Sequence, residues 1–270
     1  MKKVFITLLY FSIIYSSFAQ NKNINFAFFN NMLGEKKVIA DTAFLKVAPS
    51  TGAATEDTLF LGNDINILMQ VPFSEVRKNV NSPWLKITYK KGAFTKVGFI
   101  SAIDVAICSA LEIKNNYAII GIQQNNRTEK FINENLKIDD NFIAKIVLIN
   151  GTQKLYQDTF LIPSLTKVDS VSKFTISKCN LKRADGLIQI NFATSINKDL
   201  EYSYNYIACN ANLVGLNFIN PNPIYTSAIN ISQNKLLFNS KKIIHLIVGD
   251  LVGTKQIATY KWKNCSYIKE

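Results

Sequence analysis

The chain has 270 residues, 48% of them apolar and 11% aromatic, with 31 Lys and Arg against 19 Asp and Glu, one His and four Cys. That apolar content excludes a disordered chain and suits one or two domains. A single His excludes any site built on two imidazoles, and with it most zinc centres, so no metal and no other cofactor is expected.

In chain order, Met1-Lys2-Lys3 is a basic start followed by a mostly apolar run to Ile14 and then by Tyr15-Ser16-Ser17-Phe18-Ala19-Gln20. Small residues at Ser17 and Ala19 fit the positions a signal peptidase reads, so 1–19 is expected to be a signal peptide cut between Ala19 and Gln20. Gln20 stands where a lipoprotein would carry Cys. No later apolar stretch approaches the ~20 residues of a membrane-spanning helix, so the expected product is periplasmic or secreted, without a transmembrane segment. Losing 1–19 removes two lysines and no acids, which takes the net charge from +12 to +10. The excess is spread in pairs such as Lys36-Lys37, Lys90-Lys91 and Lys241-Lys242. Pairs are not the blocks of a nucleic-acid arm, and the diffuse field favours anionic polymers or membrane surfaces.

Residues 20–36 read as an Asn-rich lead-in, with Phe26, Phe28, Phe29 and Leu33 docking on the surface. From Lys37 the chain reads as short strands punctuated by turns. Phe44-Leu45-Lys46-Val47 precedes Ala48-Pro49-Ser50-Thr51-Gly52, and Thr58-Leu59-Phe60-Leu61 precedes Gly62-Asn63-Asp64. Ile65–Met69 alternates in part. Trp84-Leu85-Lys86-Ile87-Thr88-Tyr89 alternates well, with Trp84, Lys86 and Thr88 on one face and Leu85, Ile87 and Tyr89 on the other. Lys90-Lys91-Gly92 turns, and Val97-Gly98-Phe99-Ile100 closes the unit.

This succession over 37–107 resembles a bacterial SH3 domain of the SH3b type. Phe44-Leu45-Lys46-Val47-Ala48-Pro49-Ser50-Thr51 is similar to the family's start, and Leu61-Gly62-Asn63-Asp64 to its Gly-centred turn before a hydrophobic strand. Trp84-Leu85-Lys86-Ile87 and Gly98-Phe99-Ile100 are similar to its Trp-bearing strand and its end. The chain departs from the pattern in lacking the Arg after Val47, in a shortened turn before Pro49, and in a long connection over 70–83. The resemblance implies a small β-barrel with a shallow groove for peptides or cell-wall fragments. Phe44, Trp84, Tyr89 and Phe99 are the candidate groove walls. A domain of about 70 residues also needs a core; Trp84 and Phe99 are the expected core pair and Tyr89 the surface residue.

Residues 108–270 offer strand candidates at 117–122, 142–149, 154–161, 173–177, 187–193, 201–207, 213–219, 235–238, 243–248 and 254–262. Asn150-Gly151 signals a type I′ hairpin and Asp185-Gly186 another. Helical periodicity reaches modest strength only over 129–136. Many short strands predict a β-sandwich or another closed β architecture, making the whole chain all-β. Cys108, Cys179, Cys209 and Cys265 allow three disulfide connectivities. The expected pairs are Cys179–Cys209 and Cys108–Cys265, with free buried thiols as the alternative.

Catalytic patterns fail on their own requirements. Asn264-Cys265-Ser266 resembles the nucleophile segment of cell-wall cysteine peptidases, but those need a helix N-terminus at the Cys and a His downstream, and His245 lies upstream. The Ser-x-x-Lys repeats, such as Ser170–Lys173 and Ser266–Lys269, lack a Lys-Thr-Gly companion. Gly249–Lys255 has the wrong spacing for a P-loop and Asp139-Asp140-Asn141 the wrong spacing for a calcium loop. The expectation is an exported binding protein rather than an enzyme, meeting a peptide, a peptidoglycan fragment or an envelope protein. The alternatives are a cell-wall hydrolase with its catalytic half at 108–270, and an assembly component of the envelope.

Overall fold

The computed structural model describes residues 27–29, 32–132, 135–162, 168–194, 201–216, 235–240, 243–250 and 253–269. The expected signal segment and the residue Phe26 lie outside these. The described chain is built almost wholly of antiparallel strands. The first six are β1 (Gly34–Lys37), β2 (Thr42–Lys46), β3 (Thr55–Phe60), β4 (Asp64–Arg77), β5 (Val80–Lys91) and β6 (Phe94–Ser101). They form one curled sheet, a half-barrel in the order β1-β4-β5-β6-β2-β3. A 3-10 turn, Ala102–Asp104, follows.

Alternation decides which face of this sheet is inside. Leu45, Leu59, Ile65, Ile67, Leu85, Ile87 and Ile100 are buried, while their neighbours Phe44, Phe60, Asn66, Lys86 and Phe99 stand on the outer face. Gly98 keeps the inner face passable: a methyl there would press into the Leu45 side chain.

Three further sheets run up and down in chain order. β7 (Leu111–Ile113), β8 (Asn116–Ile132), β9 (Asn135–Asn150) and β10 (Gln153–Ile162) make the second; β11 (Val168–Ser177), β12 (Gly186–Thr194), β13 (Glu201–Cys209) and β14 (Asn212–Gly215) make the third. β15 (Lys235–Ser240), β16 (Ile243–Asp250), β17 (Gly253–Lys263) and β18 (Ser266–Lys269) make the fourth. The ten strand candidates of the C-terminal half coincide with strands β8 to β17, although 217–219 lie outside the described residues. The 129–136 helix candidate is corrected: its described residues continue β8 and begin β9, paired from Glu129↔Ile138 to Phe131↔Leu136.

The second and third sheets meet face to face over aromatic rings. Phe160 of β10 lies 4.4 Å from Tyr204 and 6.1 Å from Phe192, centroid to centroid. Phe28 wedges between the sheets, 5.7 Å from Phe142 and 6.0 Å from Phe192. Among the described lead-in residues, Phe28, Phe29 and Met32 are core rather than surface, and Leu33 is exposed. One hydrophobic cluster runs from Phe28 through the half-barrel to Tyr206. The other face of the third sheet is covered at one end by Trp262 of β17, which packs with Leu187 and Ile207 and donates its Nε1–H to the Lys182 carbonyl at 3.0 Å.

Polar contacts join the half-barrel to the second sheet. Lys145 donates to the Ile39 carbonyl at 2.9 Å and Lys154 pairs with Asp41 at 2.9 Å. Asn125 N–H reaches the Lys78 carbonyl at 3.1 Å, and within the half-barrel Arg77 pairs with Asp104 of the 3-10 turn. Burial pulls the Lys145 ammonium pKa down and pushes the Asp104 carboxyl up, against the pull of Arg77.

Turn chemistry differs from expectation at two places. The β9–β10 hairpin turns on Gly151-Thr152, where Gly151 has φ +57° and Thr152 is not left-handed. That is the pattern of a type II′ turn with Gly first, not type I′. Asp185-Gly186 is not a hairpin turn, because 178–185 intervene between β11 and β12; Gly186 is needed because a methyl there would strike Ile176.

The disulfide pairing is also corrected. Cys209 and Cys265 are joined, with Cα atoms 5.8 Å apart, while Cys108 and Cys179 are free thiols. Cys209 precedes the Asn210-Ala211 turn and Cys265 sits in the Asn264-Cys265 turn, so the bond ties two hairpin tips. Cys108 follows the 3-10 turn and packs against the central core, where burial pushes its pKa up to about 12.

Candidate functional site

The half-barrel does not close. Its end strands β1 and β3 face each other across a cleft of about 920 Å³, lined by Glu35 of β1 and Thr58 of β3. The start of β4 contributes Asp64 and Asn66, and the end of β5 contributes Tyr89 and Lys91. These strands converge because β5 runs past the β4 pairing into the Gly92 hairpin, where φ is +62°. Gly at that turn costs no side-chain clash.

At the cleft four residues form one hydrogen-bond network centred on Asp57. Tyr89 donates its hydroxyl to the Asp57 carboxylate, Lys91 donates to the same group at 2.6 and 2.8 Å, and Thr58 N–H donates to it at 2.8 Å. Lys91, then Tyr89, then the Thr58 N–H hold Asp57 well below the usual carboxylate range. Burial, then the Asp57 contact, pushes the Tyr89 phenol well above its ordinary value. The network fixes the Tyr89 ring at the cleft wall. Around it the rim carries both signs, Glu35 and Asp64 against Lys90 and Lys91, with Asp64 held by Lys37 at 2.7 Å.

The four aromatic candidates do not share one groove. Tyr89 lines the cleft and is only 9% exposed, so the expectation of a surface Tyr is corrected: its parity with Leu85 and Ile87 turns it inward. Phe99 is half-buried on the outer face rather than core, because the inward positions of β6 belong to Gly98 and Ile100. Trp84 is buried, as a core residue should be, but on the Lys86 side of β5, with its Nε1–H lacking a hydrogen-bond partner among the described residues. Phe44 is 52% exposed on the outer face beside Lys46. Asp57, Lys91 and Glu35 were not legible as site residues, since a lone charge in a strand carries no spacing signal.

Cys265 is bonded to Cys209, so it presents no thiolate in this state. His245 lies in β16, paired with Leu237 and Thr259. Ser170–Lys173 and Ser266–Lys269 lie in strands, not on a helix. Among the described residues no helix is long and apolar enough to cross a membrane. No protein-family model, no curated protein and no solved structure matches the chain.

Proposed function

We propose that the chain is an exported, non-enzymatic binding protein whose β1–β3 cleft holds a peptide or cell-wall fragment bearing charges of both signs. The observation that carries this reading is the cleft itself, a concave site of ligand size with an anchored aromatic ring and a mixed-charge rim. The SH3b reading of 37–107 rests on the order of its sequence motifs, and a six-stranded curled sheet over the same stretch is in keeping with it. Export rests on the three-part pattern of 1–20.

Isothermal titration of the processed protein with peptidoglycan fragments and with peptides of exported proteins tests the proposal. Binding that weakens about tenfold in Tyr89→Ala supports it, the loss expected for one central aromatic anchor. Glu35→Ala and Lys90→Ala, both at exposed rim positions, should weaken it without disturbing the fold. Silence across both ligand classes overturns the reading.

A further inference from the structure

We infer that the β1–β3 cleft takes short free peptides end to end, with the peptide's ammonium at Glu35 and its terminal carboxylate at Lys90. The inference rests on that cleft being the binding site, and it names the class of ligand. Glu35, Asp64, Lys90 and Lys91 line the cleft, and two of the four are already matched within the protein. Asp64 is held by Lys37 at 2.7 Å, and Lys91 by Asp57 at 2.6 Å. Glu35 and Lys90 are exposed and have no ion-pair or hydrogen-bond partner among the described residues. One uncommitted carboxylate and one uncommitted ammonium are therefore left to meet a ligand of complementary charge.

Strand register sets the distance between them. Glu35 of β1 stands opposite Asn66 of β4, and Asn66 opposite Thr88 of β5, so the three form one cross-strand row. Alternation places Lys90 on the same face as Thr88, one step along β5. The row through Lys90 includes Thr95 and, on β4, Asp64 with its Lys37 partner. Glu35 alone charges the first row, while Lys37 and Lys90 against Asp64 leave the second row positive. Two strand spacings of ~4.8 Å and one two-residue step of ~6.8 Å put Glu35 and Lys90 roughly 12 Å apart along the sheet. A peptide of about three or four residues spans that distance, at ~3.3–3.6 Å per residue. Asn66 and Thr88 lie between the two charges and supply donors and acceptors for the peptide groups. A neutral glycan leaves both charges unanswered, and an internal stretch of a longer chain brings no termini to them.

The test is isothermal titration of the processed full chain with tetraalanine, N-acetyl-tetraalanine and tetraalanine amide. Free tetraalanine is expected to bind, and each blocked form to bind about fivefold more weakly, the upper range for one exposed ion pair. Glu35→Gln should abolish the preference for the free amine and keep that for the free carboxylate; Lys90→Gln should do the reverse. Both side chains are exposed and hold no other described residue, so both variants should fold, which circular dichroism checks. That crosswise pattern supports the inference. Free and blocked peptides bound equally, both preferences lost together in either variant, or no binding of tetraalanine overturns it. Peptidoglycan fragments that still bind after such a failure leave the cleft standing as the binding site, whereas silence across every ligand removes both readings.

Discussion

Asp57 shows what single side chains contribute. Its folded-state pKa is depressed by Lys91, Tyr89 and the Thr58 N–H, so its ionised form is favoured by folding. A depressed carboxylate stabilises above its unfolded pKa, about 4, and that stabilisation is lost as pH falls through the lower folded value. Asp57→Asn should therefore melt below wild type at neutral pH, and the two melting curves should converge on acidification. Parallel curves across that range would refute the assignment. Trp84 and Trp262 make a complementary pair: both are buried, but among the described residues only Trp262 has its N–H satisfied. An unmet buried donor costs about 1–3 kcal/mol, so a ring without the N–H is tolerated better at 84 than at 262.

Among the elements, Gly62 carries a specific load. It lies between β3 and β4 with φ +83°, and a methyl group there would collide with the Gly151 carbonyl oxygen of the β9–β10 turn. Gly62→Ala should cost about 2–3 kcal/mol in urea unfolding, from the left-handed backbone and the displaced turn together. Gly34→Ala has a similar φ, +82°, but open space around it, and should cost about 1 kcal/mol. A smaller loss at 62 than at 34 would mean that the two sheets do not meet there. The strands of the C-terminal half were legible because alternating or continuous apolar runs survive any packing arrangement. The 70–83 stretch was not legible. Pro72 and Pro83 break the pattern, and only tertiary pairing reveals a hairpin closing on Lys78-Asn79, both left-handed. For the site, alternation gave the face of Tyr89 but not what lies opposite it. Asp57 meets Tyr89 only because the sheet curls, and curl leaves no local trace in sequence.

For the molecule as a whole, continuity of the core is the main fact. Phe28 touches rings of β9 and β12, so a residue near the start of the described chain holds two later sheets together. Phe28→Ala should cost about 3–5 kcal/mol, seen as a loss of cooperative unfolding across both sheets. A surface-like loss of a few tenths would show that the N-terminal segment is only laid on. The Cys209–Cys265 bond closes 56 residues of sequence separation and should contribute about 4 kcal/mol through the restricted unfolded chain. Reduction should lower the melting temperature and shift the emission of Trp262, which packs in the cluster around the bond, more than that of Trp84. Comparison with Trp84→Phe and Trp262→Phe assigns the two signals.

β4 is much longer than the β1 strand beside it, which covers only Asp64 to Ile67, so its outer side from Leu68 onward has no neighbouring strand in the sheet. Between Gln70 and Ser74 its pairing with β5 slips, so that Val71, Pro72 and Phe73 stand opposite Trp84 alone. Such a bulge bends the strand, and Pro72 offers no amide hydrogen to a newcomer. An excision that straightens the stretch would expose an even row of donors and acceptors beside Leu68, Phe73 and Val76. The irregularity thus denies a second strand the regular template along which it could pair.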